Sequence, residues 1–494
     1  MLAGTVPPWH PSARAPRMSR TPRMTKPDRP PKTQGSNIRA AHALGLLFAT
    51  ASFGCSSDPP VLSVEIITGF EKDTFSQAPA VTRVDITARA AEGDLSLSAS
   101  APPGGTFDFG DVPSDRLLTF EATGVDATGS VVVRGRSISG IYLAGVSGGI
   151  IPVFVQRVNQ WARPPGGLAR SHVGAPAAVL AERYLMTTGG TSASSAEGSA
   201  EPTASDFYDL FAHGGAVGPA MPRAARSLVA RTSAVLLVDD AGASWVDFDA
   251  GTYDDVPLPA GLGSFADVAG GQTIESSDGR SFIVGATRQN GPATTAVLEV
   301  KVDGSLAILS LGQARAGAAA VWLEGAGLVV AGGSAGGSGI EVLAPGTTGF
   351  AGRDFPPDAV EGAGAVVVDP ARIALVGGVL AGAPAPTRLL APGCAQMCVP
   401  EELIEATLPV AISGVTAFSL GGGRAVAVGN ELSDPGLMRA FVVGIVTPSV
   451  DEAPLREPRS GASVVAAPNG TLGILGGSLE DGSPALTIET LFPK

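Results

Sequence analysis

The chain has 494 residues, of which 44% are hydrophobic and 16% are charged, whereas about 25% of the residues in an average soluble domain are charged. This composition excludes an intrinsically disordered chain and favours a well-buried fold. The 66 glycines and 40 prolines interrupt the sequence so often that many short strands are expected rather than long helices.

The formal net charge of −13 is unevenly distributed. Residues 1–54 contain eight basic residues and one acidic residue, whereas the rest of the chain contains 25 basic and 45 acidic residues, a net charge of −20. Because an acidic body repels the phosphate backbone, nucleic acid is excluded as a partner.

Residues 1–55 are interpreted as a targeting segment. A basic, proline-rich leader precedes an apolar stretch of about 14 residues, which is too short to span a bilayer as a helix. It ends in Ser52-Phe53-Gly54-Cys55, which resembles the lipobox of bacterial lipoproteins, although Ser52 stands where leucine is usual and Phe53 is bulky. The resemblance implies cleavage before Cys55 and a diacylglycerol on its thiol.

The polar residues 56–60 then form a tether, and the protein is expected in the cell envelope, anchored by lipid to the outer membrane or the cell surface. Because the leader is long, translation beginning at Met1, Met18 or Met24 is compatible with this interpretation.

A small β-sandwich domain is predicted over residues 61–149. Polar and apolar residues alternate there over 61–67, 84–88, 95–99, 106–109, 117–122 and 130–135, with turn-forming residues between the segments. Alternation marks strands that bury one face, and six or seven strands in about 90 residues suggest a sandwich. Residues 107–113 resemble small Ig-like or transthyretin-like modules, which implies no activity, so a spacer role is favoured.

A repeat of roughly 48 residues fills positions 150–494. Each clear copy consists of a strand, a tight polar turn, a second strand and a Gly-Gly pair, and the pairs begin at Gly332, Gly377 and Gly476. Weaker copies place equivalent positions at 189, 239, 285 and 429. The even spacing predicts seven units of β-structure.

These repeats resemble kelch repeats, in which Gly-Gly ends the second strand of a propeller blade. The resemblance implies an all-β fold, a seven-bladed kelch-like β-propeller preceded by the small β-sandwich. The last copy stops after its third strand, so a segment within 151–161, ending in Trp161, is predicted to supply the missing strand and close the ring.

Cys394 and Cys398 are the two cysteines that follow Cys55. In an exported chain an isolated close pair favours a local disulfide. Two free thiols, or a metal or redox role, are the alternatives, but no histidine lies nearby in sequence to complete a metal site.

No catalytic constellation is found in the sequence. A copper-radical oxidase requires more His and Tyr ligands than His172 and His213 allow. Residues 276–282 are interpreted as a hairpin turn rather than a sialidase Asp-box, and the aspartates at 247–255 lack the spacing of a calcium loop. The protein is therefore expected to be no enzyme and to need no cofactor or metal.

A polar feature recurs just before the innermost strands. Four arginines stand there, with Glu361 in the equivalent place of blade five, and His172 lies close by. A ring formed by these side chains would suit anionic groups, although arginines at a repeat position can instead bond backbone carbonyls, and that structural interpretation is favoured. The candidate binding face comprises Arg170, His172, Arg226, Arg315 and Arg459.

The sequence thus predicts a monomeric, non-catalytic envelope protein that presents a propeller face to an extracellular protein or glycan. The alternative is an extracellular hydrolase acting on a polymer, with scattered carboxylates as acid and base. Propellers host both functions, so the fold alone does not decide between them.

The lipobox resemblance makes a direct prediction about Cys55. Cells given a palmitate analogue should label the wild-type protein and leave Cys55→Ser unlabelled, because the substitution removes the thiol that carries the lipid. Equal labelling of the two proteins would contradict the assignment.

Overall fold

The computed structural model describes residues 63–493, except 110–111, 114, 147–148, 192–201 and 433–436. The leader, Cys55 and the predicted tether lie outside these residues. The described part consists of strands, turns and short 3₁₀ helices at Leu143–Gly145, Phe265–Asp267, Gly285–Thr287 and Ile404–Ala406. None of these helices has the length and apolarity needed to cross a bilayer. The prediction of an all-β fold is confirmed.

Seven strands form a sheet before the propeller. They are β1 Ser63–Ile67, β2 Arg83–Ala90, β3 Ser96–Ala101, β4 Leu117–Val125, β5 Val131–Arg136, β6 Ile141–Tyr142 and β7 Ile150–Arg157. The order is β1-β7-β5-β4-β2-β3, with β6 beside β4, and the β1–β7 pair is parallel. Its core includes Ile86, Leu118, Phe120 and Ile151, all of them buried. The described residues join all seven strands in one sheet, so the two sheets of the predicted sandwich are not shown.

Seven four-stranded sheets follow and form the blades of a β-propeller. Within each blade the strands are given from the innermost outwards. Blade 1 contains β9 Ala177–Leu180, β10 Tyr184–Thr188, β11 Ser205–Asp209 and β12 Gly214–Val217, and blade 2 contains β13 Ser227–Ala230, β14 Ala234–Val238, β15 Ala243–Asp247 and β16 Thr252–Val256. Blade 3 contains β17 Gln272–Glu275, β18 Ser281–Val284, β19 Thr294–Val300 and β20 Leu306–Arg315.

Blades 4 to 6 have the same antiparallel order. Blade 4 contains β21 Ala319–Leu323, β22 Gly327–Ala331, β23 Ile340–Leu343 and β24 Ala351–Gly352. Blade 5 contains β25 Gly364–Asp369, β26 Arg372–Val376, β29 Thr387–Leu390 and β30 Glu401–Leu403. Blade 6 contains β31 Ile412–Gly421, β32 Arg424–Glu431, β33 Met438–Gly444 and β34 Ser449–Glu452. A small hairpin, β27 Val379–Leu380 and β28 Ala383–Pro384, is inserted in blade 5.

Blade 7 takes its strands from both ends of the propeller sequence. It contains β36 Ser463–Ala466, β37 Leu472–Leu475, β39 Glu489–Leu491 and β8 Trp161–Ala162 in that order. A two-stranded pair, β35 Arg459–Ser460 with β38 Ser478–Leu479, lies beside it. Seven blades were predicted from the spacing of the repeats, and seven are observed.

The strand that completes blade 7 is shorter than the predicted segment 151–161. Trp161 and Ala162 pair with Leu491 and Thr490 of β39, whereas β7 belongs to the N-terminal sheet, where it pairs with β5 and β1. Trp161 is 1% exposed and packs among apolar residues of blades 6 and 7. The predicted boundary at residue 150 is therefore corrected to a position between β7 and β8, because the alternation of residues 150–157 serves the preceding sheet.

The Gly-Gly pairs turn the chain out of the second strand of a blade. Both residues of the pair at 332–333 have positive φ, +76° and +68°, a conformation that other residues adopt only with strain. A Cβ on Gly333 would also lie 2.4 Å from the carbonyl oxygen of Ala316. The glycines are therefore required both by backbone conformation and by close approach to the preceding connection.

The propeller has two different faces. We call the face that carries the connections between blades and the loops after the Gly-Gly pairs the connection face, and the opposite one, which carries hairpins such as 181–183, 210–213 and 467–470, the hairpin face. The N-terminal sheet packs on the hairpin face. Phe211 packs against the core of the sheet, and Asn469 Nδ2 donates to the carbonyl oxygen of Arg136 at 3.4 Å.

Two further contacts fix this arrangement. The ring of His213 lies 5.9 Å from that of Phe154 in β7, and burial lowers the pKa of His213 to about 4, so the imidazole is neutral at neutral pH. Arg163 pairs with Glu71 at 2.9 Å on one side and with Glu457 at 2.7 Å on the other. The sheet is thereby joined to blade 7 at the edge of the connection face, since Arg163 and Glu457 lie on connections between blades. These described contacts do not involve the residues that line the mouth of the channel.

Candidate binding site

A cavity of about 690 Å³ occupies the centre of the propeller. Six of the seven blades contribute to its wall, and the residues are small or hydroxyl-bearing for the most part. Representative lining residues, one per contributing blade, are Ala177, Ser227, Gln272, Ala318, Thr416 and Ser463. Small side chains on the innermost strands keep the channel open, and hydroxyls and amides make it a polar site.

Charged residues lie at the two ends of this cavity. Arg226 is at the connection face, whereas Glu182 and Glu275 are at the hairpin face. Arg226 donates to both oxygens of Asp240 at 2.6 and 2.9 Å, and both side chains are about half exposed. Because its charge is already compensated, Arg226 does not create a strong positive spot.

An amide cluster narrows the mouth at the connection face. Gln289 of blade 3 lies so near blade 6 that a Cβ on Gly414 would be 3.3 Å from its Cγ. Asn430, also of blade 6, lines the same mouth. Its Oδ1 is buried without a hydrogen-bond partner among the described residues, so a free acceptor is available there for a ligand or a water molecule.

Two of the predicted face arginines are fully buried. Arg315 is 0% exposed and donates to Glu341 Oε1 through Nε at 3.2 Å and Nη2 at 3.1 Å. It also donates to the carbonyl oxygen of Gly332 at 2.8 Å. Arg459, likewise 0% exposed, bonds Glu489 at 2.9 Å and the carbonyl oxygen of Gly476 at 3.4 Å.

Burial and pairing have opposite effects on these groups. Burial lowers the pKa of Arg315, while Glu341 raises it. Burial likewise raises the pKa of Glu489, opposed by Arg459 and by two backbone N–H groups. These are buried ion pairs whose members depend on each other.

In blade 1 two residues share the role that one arginine has in blades 4 and 7. Arg170 binds Asp206 Oδ1 through Nε at 3.0 Å and Nη2 at 2.5 Å. His172 Nδ1 lies 2.9 Å from the carbonyl oxygen of Gly189, and its Nε2 lies 3.2 Å from Asp206 Oδ2. His172 has φ +48° where blades 4 and 7 have Gly317 and Gly461.

The expectation that these five side chains form one positive surface is therefore corrected. His172, Arg315 and Arg459 are buried, Arg170 is held by Asp206, and Arg226 is paired with Asp240. The structural interpretation of the arginines fits their geometry, because each of them is bound to carboxylates or backbone carbonyls within the propeller.

The carboxylate partners were missed in the sequence. Asp206, Glu341 and Glu489 occupy equivalent positions on the third strand of their blades, each opposite the residue two before the first glycine of the pair. A carboxylate at the same third-strand position in three copies of the repeat was the signal that would have identified them.

Blade 5 reverses the charges. Arg388 occupies the third-strand position and pairs with Asp358, while Glu361, predicted to replace the arginine, is exposed. Arg388 is 5% exposed, and its Nε and Nη2 have no partner among the described residues. Blade 5 thus also has an ion pair between the inter-blade connection and the third strand, which we call a tie as in blades 1, 4 and 7. Here the carboxylate is on the connection, the arginine is on the strand, and fewer hydrogen bonds are formed.

Cys394 and Cys398 form a disulfide, with 5.9 Å between their Cα atoms. It closes the turn between β29 and β30 at the rim of blade 5. Cys398 is buried in the core between blades 4 and 5. No cluster of three potential metal ligands occurs within the described parts of residues 63–493.

Comparison with known proteins shows no family for this chain. No protein-family model and no curated protein matches the chain. It is similar to the Pan2 WD40 domain of Neurospora crassa, with 9% identity, 68% of this chain and 96% of that chain covered, and a TM-score of 0.40.

Two further solved structures are similar at the same level. A chain of the mitotic checkpoint complex has 8% identity, coverage of 68% and 95%, and a TM-score of 0.42. YjhT has 12% identity, coverage of 65% and 95%, and a TM-score of 0.35. Similarity this distant carries no inference about function, so the blade count rests on the strand pairing above and the kelch assignment stays a prediction.

Because Asp206 is ion-paired in the folded protein, its contribution to the free energy of unfolding should depend on pH. Burial alone would raise the pKa of this carboxyl, but the contacts with His172 and Arg170 outweigh burial and hold the pKa below its ordinary value. Asp206 should therefore stabilise the fold fully above its ordinary pKa of about 4, and this contribution should be lost as the pH falls through the lower folded-state pKa.

The measurement is urea unfolding of the wild type and Asp206→Asn at neutral and acidic pH. At pH 7 the substitution should cost about 3 kcal/mol, because it breaks a buried pair, and the difference should narrow as the pH falls below about 4. Asp240→Asn, at the exposed Arg226 pair, is the matched control and should cost less than about 1 kcal/mol. A cost at Asp206 that is independent of pH would contradict the assignment.

Proposed function

We propose that the protein is a non-catalytic binding protein of the bacterial cell envelope, anchored by lipid on Cys55, whose propeller binds an extracellular protein or glycan at the mouth of the central channel. The observation that carries the proposal is the packing of the N-terminal sheet on the hairpin face, with which the described residues of the sheet leave the mouth of the channel on the connection face uncovered.

The lipid anchor would limit how far the N-terminal sheet lies from the membrane. Strand β1 begins at Ser63, and the eight peptide steps from Cys55 extend at most about 28 Å. A lipid on Cys55 would therefore keep the start of the N-terminal sheet within that distance of the membrane surface. In this proposal the connection face is the one that a partner outside the cell reaches.

The channel supports binding at this face by its size and its chemistry. A volume of about 690 Å³ is within the usual range of ligand cavities. Its lining offers amides and hydroxyls, and its three charged residues include one arginine that is already paired. Such a lining suits a polar segment of a partner that inserts from the mouth, while loops of several blades contact the rest.

The full-length protein should be retained by at least one of four insoluble probes, namely peptidoglycan, chitin, cellulose and collagen. Thr416→Trp places a large side chain on the channel wall, and retention should fall at least about tenfold, the equivalent of 1.4 kcal/mol. Co-sedimentation followed by quantification of bound protein measures the effect.

Thr252→Trp is the matched control, because Thr252 lies exposed in the outermost strand of blade 2, and it should bind like the wild type. No retention of the wild type, or an equal loss in both variants, would contradict the proposal. Release of soluble sugar or peptide from any probe would instead favour the hydrolase.

A further inference from the structure

The propeller uses its positive charges internally. Residues 161–494 contain 33 acidic and 18 basic residues, of which 16 are arginines. At least eleven of these arginines form ion pairs with carboxylates, and Arg231, Arg288 and Arg456 donate to backbone carbonyls. The uncompensated surface charge is therefore negative, and it favours a partner that carries positive charge.

One part of this surface is also unusually apolar. Met397 and Val399 are 86% and 79% exposed, the two highest values among the large hydrophobic side chains of the described residues. Ile404, a few residues further on, is 62% exposed. We call residues 397–405 the blade 5 rim. Exposed apolar side chains grouped in this way are typical of an interaction surface.

Carboxylates lie among these apolar side chains. Glu401, Glu402 and Glu405 are all exposed, and none of them has an ion-pair partner among the described residues. Asp451, exposed in the neighbouring strand β34, adds to the negative charge, since the 3₁₀ helix 404–406 contacts that strand. The rim thus combines apolar contacts with uncompensated negative charge.

The rim is held in a fixed conformation. The disulfide closes the turn, Cys398 is buried in the core, and the N–H groups of Met397 and Cys398 donate to Asp354 at 2.7 and 3.0 Å. Because these bonds already order the loop, a partner would not have to order it on binding. The apolar side chains are exposed although the backbone that carries them is fixed.

The rim also contains an open strand edge. Strand β30 pairs with β29 and is the outermost strand of blade 5. Its other edge has no strand partner in the described residues, and an extended peptide can add to such an edge through main-chain hydrogen bonds.

We propose that the blade 5 rim binds an extended, basic polypeptide segment, which adds to β30 as a fifth strand. Side chains of a strand alternate between its faces, so a segment with alternating apolar and cationic residues places one set near Met397, Val399 and Ile404 and the other near the glutamates. This surface is separate from the channel mouth, so the two proposals can fail independently.

The probe is a synthetic peptide of about nine residues with alternating Val and Lys, a typical strand length. An alternating Val and Glu peptide is the charge-reversed control. Fluorescence anisotropy with the full-length, oxidised protein should show binding of the basic peptide alone, weakened by salt because charges contribute to it. Replacing peptide residues by proline at the positions that donate to β30 should abolish binding, since proline lacks the N–H.

Two double variants locate the site. Met397→Ser with Val399→Ser, and Glu401→Lys with Glu402→Lys, should each weaken binding at least about tenfold. Val302→Ser with Val446→Ser is the matched control, because each of these valines is 67% exposed elsewhere, and it should bind like the wild type. Melting temperatures of all variants should stay close to that of the wild type, since the substituted side chains are exposed.

Equal weakening by the rim and control variants would overturn the proposal, as would binding of the proline-containing peptide or no binding at all. A dimer of the wild type that the rim variants abolish would also overturn it, because the occupant would then be a second copy of the chain. An unfolded rim variant is replaced by Met397→Gln with Val399→Thr, which is judged by the same criteria.

Discussion

An ion pair between an arginine on an inter-blade connection and a carboxylate on the third strand holds the connection to the blade in blades 1, 4 and 7. Where the Gly-Gly pair leaves the second strand, the carbonyl of its first glycine loses its place in the strand ladder, and a buried carbonyl needs a donor. Arg315 and Arg459 supply that donor and at the same time bind the carboxylate. One side chain thus ties the connection, the turn and the third strand together.

The ion pair has different members in two other blades. In blade 1 Arg170 binds the carboxylate while His172 contacts the glycine carbonyl, and in blade 5 the charges are exchanged between Asp358 and Arg388. These variants preserve the position of the pair while changing its members. In blades 2, 3 and 6 the corresponding third-strand residues are Ser244, Leu298 and Phe441, so this kind of ion pair belongs to blades 1, 4, 5 and 7.

The consequence for function is electrostatic. Arginines that are buried or paired inside the propeller contribute little to its outer electrostatic potential. The unpaired carboxylates therefore make the surface potential negative. This is why the arginines of the connections do not form the anion-binding face that the sequence left open as the less favoured interpretation. The surface features available to a partner are the polar channel, the exposed carboxylates and the exposed apolar side chains of the blade 5 rim.

Much of the architecture could be predicted from the sequence, because repetition averages out local ambiguity. The Gly-Gly spacing identified the blades, and the close cysteine pair indicated the disulfide. The role of residues 150–157 could not be predicted, because a half-buried strand has the same alternation in either domain. The burial and pairing of Arg315 and Arg459 could not be predicted either, since the sequence does not show that Glu341 and Glu489 lie next to them.

The binding partners depend on information that the repeat does not contain. Channel residues such as Gln289 and Asn430 come together from blades far apart in sequence, and only the closed ring brings them to one mouth. The exposure of Met397 and Val399 follows from how the disulfide turn packs against Asp354, a contact between positions more than 40 residues apart.

The central claim is that the buried arginine ties hold the blades, and the free energy of unfolding of Arg315→Met tests it most directly. The substitution leaves Glu341 buried without its partner and should lower the free energy of unfolding by about 3–5 kcal/mol, whereas Arg226→Met, at the exposed pair, should lower it by less than about 1 kcal/mol. Equal, small losses in the two variants would show that the propeller does not depend on these ties.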